Sequence, residues 1–187
     1  MSLYAALLAV TVTVQVSVDT PKLTNPKHYS LATCSGVFIS GDQVLTAAHC
    51  FKNARGRQWV KSSDGNSYSA KIERIRHVAD LALLKIDIKK PHKYAEFGDV
   101  IRITEDVYTV NSGYDYAGTY SQGIVNNIIR EEGDVVTVLH SAHILGGASG
   151  SGLFNEEGEI VGINVATLPS FSEAVDLYEI RRFLNIR

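Results

Sequence analysis

The sequence is poor in cysteine, in net charge and in long apolar runs, and each shortage excludes a class of protein. Two cysteines among 187 residues are too few for a small disulfide-rich scaffold. The formal net charge of −2 gives a nucleic-acid partner no electrostatic support. The apolar-rich stretch Leu3–Val18 is interrupted by four polar residues, so it lacks the roughly 20 apolar residues of a membrane span. Met1–Ala9 contains no Lys or Arg, which disfavours a secretory signal peptide.

The pattern that is present is typical of an all-β domain. Thr11–Val18 alternates polar residues with valine, which predicts the first strand of the fold, led in by a short helical turn. Leu177–Leu184 carries apolar residues at i, i+3 and i+7, which predicts a C-terminal helix. Further strands are predicted at Cys34–Ser40, Arg57–Lys61, Tyr68–Arg76, Leu81–Ile86, Val107–Asn111, Val135–His140 and Ile160–Ala166.

Three short segments carry residues suited to nucleophilic catalysis. His49 follows a small-residue run that closes a strand, and Asp80 directly precedes an apolar strand. Ser149 lies in Gly146–Gly152, whose four glycines let successive N–H groups turn toward one point. Each segment also has an ordinary explanation, namely a structural His, a surface turn Asp and a flexible linker.

Together the three segments give His, Asp and Ser in the chain order of the chymotrypsin-type triad. A serine hydroxyl needs an imidazole to take its proton, and the imidazole needs a carboxylate to fix its tautomer. The tetrahedral oxyanion needs N–H donors, for which the backbone of Gly147 and Ser149 is placed. Ser149 rather than Ser151 is the predicted nucleophile, because Gly147 stands two residues before it.

These motifs resemble those of trypsin-fold serine proteases, and among them the HtrA/Deg protease domain and the V8/exfoliative-toxin group. The similar stretches are Val44–Cys50, Asp80–Lys85, Thr119–Val125, Gly147–Gly152 and Glu159–Asn164. The resemblance implies two antiparallel six-stranded β-barrels with a C-terminal helix. It places His49 and Asp80 in an N-terminal lobe, residues 1–92, and Ser149 in a C-terminal lobe, residues 93–187. No PDZ domain is expected within this chain.

The resemblance also implies a set of site residues. The catalytic residues are His49, Asp80 and Ser149, and the oxyanion donors are the N–H groups of Gly147 and Ser149. Cys34 and Cys50 are expected to form the disulfide that braces the histidine loop, with two free thiols or a metal site with His49 as the alternatives. The S1 pocket, which holds the substrate side chain before the cut bond, is predicted to be lined by His143, Asn164, Val165, Ala166 and Thr167.

The predicted function is that of a serine endopeptidase acting through an acyl-enzyme on polypeptide substrates, with no cofactor and no metal. Two alternatives stay open: a catalytically silent peptide-binding relative, and a viral or phage maturation protease with the same chemistry. His143 either binds an acidic or amide side chain of the substrate or points away from the pocket. The disulfide favours an extracytoplasmic location. Neither a nucleic-acid partner nor a membrane span is expected, and the sequence does not specify an oligomeric state.

Overall fold

Two closed antiparallel β-barrels make up most of the protein. The computed structural model describes residues 1–19, 29–113, 117–130 and 135–186. The first barrel has the strand order β1-β2-β3-β6-β5-β4, and β4 pairs with β1 to close it. Its strands are β1 (Thr11–Asp19), β2 (Tyr29–Phe38), β3 (Gln43–Ala47), β4 (Ala54–Ser62), β5 (Ser67–Arg76) and β6 (Leu81–Ile86).

The second barrel repeats this architecture with the order β10-β11-β12-β9-β8-β7, and β10 pairs with β7. Closure leaves neither sheet with an unpaired edge strand, which is how small barrels avoid edge-to-edge association. The strands are β7 (Asp106–Asn111), β8 (Thr119–Arg130), β9 (Val136–His140), β10 (Gly152–Phe154), β11 (Ile160–Thr167) and β12 (Ser172–Asp176).

The alternation of β1 explains how it packs. Val12, Val14 and Val16 are fully buried inside the first barrel, whereas Thr13 and Gln15 between them are only partly buried. Successive side chains of a strand point to opposite faces, so the valines fill the barrel. The valines pack in a cluster of the first barrel, and a separate cluster containing Val107, Val125, Val138, Leu153 and Val161 fills the second barrel.

Two helices and a shared apolar core hold the barrels together. Helix α1 (Leu3–Val10) begins at Ser2, whose side chain accepts from the Ala5 N–H. Helix α2 (Leu177–Leu184) begins at Asp176, whose carboxylate accepts from the Tyr178 N–H. The core between the barrels contains Leu45 and Leu81 of the first barrel, Ile160 and Ile163 of the second, Leu7 of α1, and Ile180 and Phe183 of α2.

The all-β, two-barrel architecture and the C-terminal helix predicted from sequence are confirmed. The first strand and the helical turn before it are confirmed as β1 and α1, although α1 is a full eight-residue helix. Among the described residues, no helix is long and apolar enough to cross a membrane.

Candidate active site

His49 and Asp80 form a pair joined at two points. The Asp80 Oδ2 atom lies 2.7 Å from His49 Nδ1, and Asp80 Oδ1 accepts from the His49 backbone N–H at 2.7 Å. Because a carboxylate only accepts, the neutral imidazole carries its proton on Nδ1 and leaves the lone pair on Nε2. The hydrogen bond to Asp80 raises the pKa of His49 above its ordinary value of 6.5, against the opposing effect of partial burial.

The first barrel brings these two residues together through neighbouring strands. Strands β3 and β6 pair so that Ala47 lies opposite Leu81. His49 then follows β3 in the 3₁₀ turn Ala48–Phe51, and Asp80 immediately precedes β6. Asp80 has a left-handed backbone with φ of 50°, a conformation that Asp tolerates better than most residues. Asp80 thus lies directly before a strand, as the sequence pattern predicts.

The Ser149 loop of the second barrel lies directly against the first barrel. The Ser35 N–H of β2 donates to Ser149 O at 2.8 Å, and the Gly150 N–H donates to Asn164 O at 2.7 Å. Gly150 has φ of 89°, and a Cβ atom there would overlap Thr46 Oγ1 and lie 2.9 Å from Ala47 N. The half-buried Ser149 thus sits next to the strand that leads to His49.

A tight turn precedes Ser149 and leaves two N–H groups that bond to none of the residues the structure describes. The Ala148 N–H donates to Leu145 O at 3.0 Å, and Gly147 has φ of 85°. Both features are those of a type II β-turn, in which the third position requires glycine. Across the described part of the chain, no hydrogen-bond acceptor meets the N–H of Gly147 or of Ser149. These two N–H groups, on either side of Ala148, can bind an oxyanion.

Ser151, in contrast to Ser149, is fully buried and engaged in a polar network. Its Oγ accepts from Asn164 Nδ2 at 2.9 Å, and the same amide nitrogen donates to Thr109 Oγ1 at 2.9 Å. Thr109 Oγ1 donates its one proton to Gly152 O at 2.8 Å, so toward Asn164 it can only accept. The amide nitrogen of Asn164, not its oxygen, therefore faces Thr109. Asn164 Oδ1 therefore accepts from His140 Nε2–H at 2.9 Å.

His140 is the site residue that sequence analysis missed. It is fully buried, and burial lowers its pKa to about 4, so it is neutral at physiological pH. Hydrogen bonding to Asn164 and to the Ala142 backbone opposes this lowering of the pKa without cancelling it. The available signal was a histidine closing the otherwise apolar and hydroxylic strand β9, but such a residue carries no motif.

The residues predicted to line the S1 pocket occupy two segments, the loop between β9 and β10 and the strand β11. His143 is exposed, on the loop between β9 and β10. Asn164 is fully buried with its side chain engaged in the network above. Further along β11, Val165 and Ala166 are half-buried and Thr167 is exposed.

The predicted disulfide between Cys34 and Cys50 is confirmed, with Cα atoms 6.4 Å apart. It ties β2 to the 3₁₀ turn that carries His49. The alternative of two free thiols is wrong. Both sulfur atoms and one His49 ring nitrogen lie within 4.8 Å of one another. The paired sulfurs cannot act as the thiolate ligands that a metal site with His49 would need.

The fold agrees with comparisons to known proteins. The family described as trypsin-like peptidase domain matches residues 34–163. The chain therefore belongs to the trypsin-like peptidase domain family.

Among curated proteins, the chain is similar to HtrA and DegP-like serine proteases. It is 32% identical over 169 residues to "Serine protease HTRA1A" of Danio rerio, covering 84% of this chain and 35% of that protein. It is 30% identical over 170 residues to "Serine protease HTRA2, mitochondrial" of Bos taurus, covering 85% and 37%.

The similarity extends to bacterial proteins. The chain is 31% identical over 142 residues to "Probable periplasmic serine endoprotease DegP-like" of Bartonella henselae, covering 73% of this chain and 28% of that protein. The chain thus spans about a third of the length of the curated relatives it matches. The resemblance to HtrA-like proteases inferred from the motifs is confirmed.

Proposed function

We propose that the chain is a serine endopeptidase domain that cleaves polypeptides through an acyl-enzyme. The observation that carries the proposal is the two-point bonding of Asp80 to His49, at the surface where the Ser149 loop of the second barrel docks. That arrangement orients an imidazole lone pair for a nucleophile, which a purely structural ion pair does not need.

In the proposed reaction, His49 Nε2 takes the Ser149 hydroxyl proton while Ser149 Oγ attacks the carbonyl carbon of the peptide bond. The carbonyl oxygen becomes an oxyanion, to which the N–H groups of Gly147 and Ser149 donate. The intermediate collapses, the C–N bond breaks, and His49 gives its proton to the departing amine. His49 then takes a proton from a water molecule, whose oxygen attacks the ester carbon. The bond between that carbon and Ser149 Oγ breaks, the acid leaves, and His49 returns the proton to Ser149 Oγ.

Burial and hydrogen bonding support Ser149 over Ser151 as the nucleophile. The Ser151 hydroxyl is fully buried and is bonded to Asn164, so a substrate carbonyl has no access to it. Ser149 is half-buried and directly follows the turn with the two unengaged N–H groups.

We further propose that His143, Asn164 and Val165–Thr167 surround the substrate side chain on the N-terminal side of the cut bond. The fully buried Asn164 would act from beneath the pocket, whereas the exposed His143 is available to a substrate side chain. An extracytoplasmic location is proposed from the disulfide, which persists in oxidising compartments, and from the periplasmic DegP-like relatives.

The proposal is tested by hydrolysis of an unfolded protein substrate by the wild type and by Ser149→Ala. Loss of the nucleophile is expected to remove measurable cleavage, since about 10³- to 10⁴-fold catalysis over water is all that the remaining site supplies. Ser141→Ala is the matched control, because this exposed serine of the same loop bonds only Ile124 among the described residues. Cleavage by Ser149→Ala at the wild-type rate would contradict the proposal. An absence of cleavage by the wild type would also contradict it, and would favour the silent peptide-binding alternative.

A further inference from the structure

Ser35 of β2 uses every polar atom it has to join the parts of the proposed active site. It is fully buried. Its N–H donates to Ser149 O at 2.8 Å, and its carbonyl accepts from Thr46 Oγ1 at 2.7 Å. Its hydroxyl donates to Gly147 O at 2.9 Å and accepts from the Ser112 N–H at 3.0 Å.

The directions of the two hydroxyl bonds are fixed. A hydroxyl has one proton, and the Ser112 N–H can only donate. Ser35 Oγ therefore accepts from the Ser112 N–H and donates its one proton to the Gly147 carbonyl. That carbonyl also has little room to move, because a Cβ atom on Gly113 would overlap the Gly147 C and O atoms.

The Gly147 carbonyl belongs to the turn that presents the oxyanion donors. Gly146 and Gly147 are the central residues of this turn, and neither has a side chain to restrict its rotation. Type I and type II turns differ in the orientation of the central peptide, which here carries the Gly147 N–H. The Ser35 hydroxyl holds the next peptide, Gly147–Ala148, whose N–H closes the turn on Leu145 O, and so anchors the end of the turn that carries the Gly147 N–H.

Ser112 is itself fixed to the first barrel. Its Oγ lies 3.0 Å from Thr13 Oγ1 of β1, and the Thr13 hydroxyl is also in contact with Ser112 O. A chain of hydrogen bonds thus runs from β1 through Ser112 and Ser35 to Gly147. The turn of the second barrel is held by two strands of the first.

We propose that Ser35 is a positioning residue, whose hydroxyl anchors the Gly147 carbonyl and so holds in place the turn that presents the Gly147 N–H to the oxyanion. This inference rests on the proposed endopeptidase function. It assigns to Ser35 no contact with substrate; the residue acts through Gly147. The rival interpretation is a buried hydroxyl that contributes only to stability.

Ser35→Ala separates the two interpretations kinetically. Removing an oxyanion donor outright costs about 10²- to 10³-fold in kcat. We expect a donor left in place but misdirected to cost about 10- to 100-fold in kcat, with KM changed less than about 3-fold. The affinity for a peptide aldehyde, whose adduct with Ser149 mimics the tetrahedral intermediate, should fall by the same factor as kcat.

Two further variants sharpen the test. Ser35→Thr keeps the hydroxyl but adds a methyl group to a fully packed position, so it should be less stable than Ser35→Ala and yet more active. Thr11→Val is the control for a buried hydroxyl that bonds outside the site, since Thr11 Oγ1 donates to Leu7 O of α1 at 2.8 Å. It should lose stability while kcat stays within about 2-fold of the wild type.

Amide hydrogen exchange gives a readout that does not depend on activity. The Ala148 N–H closes the turn, so it should exchange at least about 10-fold faster in Ser35→Ala than in the wild type, and at the wild-type rate in Thr11→Val. Unchanged kcat, aldehyde affinity and Ala148 exchange in Ser35→Ala would overturn the role of Ser35. An inactive wild type with faster Ala148 exchange in Ser35→Ala would instead reject the endopeptidase function and leave Ser35 as the residue that holds the turn.

Discussion

At the scale of single residues, the pKa values of His49 and His140 are shifted in opposite directions by their surroundings. The Asp80 carboxylate raises the pKa of the partly exposed His49, whereas burial lowers the pKa of His140 to about 4. The pKa of His49 therefore lies above its ordinary value of 6.5, and the hydrogen bond to Asp80 orients the ring, which suits a general base. His140 stays neutral and donates from Nε2 to Asn164, which suits a fixed structural donor.

The raised pKa of His49 predicts the pH dependence of cleavage. The base must be neutral, so kcat/KM should rise with pH through an inflection above pH 6.5. Asp80→Asn should move that inflection down and lower kcat by about 10⁴-fold, because an amide can stabilise the wrong tautomer. Asp42→Asn, which changes an exposed carboxylate paired with Lys85, should leave the profile in place. A flat profile from pH 5 to 9, or an inflection unmoved by Asp80→Asn, would speak against a His49 base.

The lowered pKa of His140 predicts an acid-sensitive fold. Between its folded pKa of about 4 and the ordinary value of 6.5, the unfolded chain binds a proton on His140 that the folded protein does not. The free energy of unfolding should therefore rise with pH across this window, by about 1.4 kcal/mol per unit and roughly 3 kcal/mol in all. Below pH 4 this loss of folding stability is complete, and above pH 6.5 it is absent.

Denaturant unfolding from pH 4 to 7 checks this prediction by comparing the wild type with His140→Gln. Glutamine keeps a side-chain N–H that can reach Asn164 but does not titrate, so the slope assigned to His140 should be missing. His143→Gln, on the exposed loop, retains His140 and should retain its slope. A difference between wild type and His140→Gln that is constant across this range would show that His140 does not couple folding to pH.

At the scale of elements, the proposed catalytic residues occupy the ends of strands and the turns beside them. The strand pattern and the motifs were sufficient to predict the histidine and aspartate segments, because each combines a strand with a residue type at its edge. The same signals could not give β10, which has only three residues, too few for a clear period. They also could not give the Asn164–His140 contact, because β11 and β9 are not neighbouring strands and these two side chains meet only once the barrel has formed.

The disulfide between β2 and the histidine turn should contribute measurably to stability. It closes a loop with a sequence separation of 16 residues, for which loss of unfolded-state entropy gives about 3 kcal/mol. The double variant Cys34→Ser/Cys50→Ser should lose about that much free energy of unfolding in denaturant titrations. A thiol reductant should destabilise the wild type and leave the double variant unchanged. Equal stability of the wild type with and without the reductant, once reduction is verified, would contradict this role.

At the scale of the whole molecule, the candidate site exists only where the two barrels meet. The first barrel supplies His49 and Asp80, the second supplies Ser149 and its turn, and Ser35 binds across the junction. The resemblance to trypsin-fold proteases predicts two barrels, but the strand patterns do not show how closely the loops of those barrels approach. That closeness is set by glycines such as Gly150, whose missing side chain lets the loop contact Thr46 and Ala47.

Gly150→Ala should therefore damage folding and catalysis together. The new methyl group meets both positive-φ strain, about 1–3 kcal/mol, and overlap with the first barrel. Gly65→Ala is a matched control, since Gly65 has φ of 87° with nothing within 4 Å of the added atom, so only the strain applies. Unfolding and hydrolysis measurements should show Gly150→Ala as clearly less stable and inactive, and Gly65→Ala as active. Equal effects of the two substitutions would refute the tight docking of the Ser149 loop.

The central claim, that Ser149 is the nucleophile of a triad with His49 and Asp80, is tested most directly by labelling with a fluorophosphonate probe. Mass spectrometry of the labelled protein identifies the serine that has formed the covalent phosphonate ester. The account predicts the label on Ser149, its loss in Ser149→Ala, and its retention in Ser151→Ala. A label that survives Ser149→Ala and vanishes in Ser151→Ala, or a wild type that takes up no label, would contradict it.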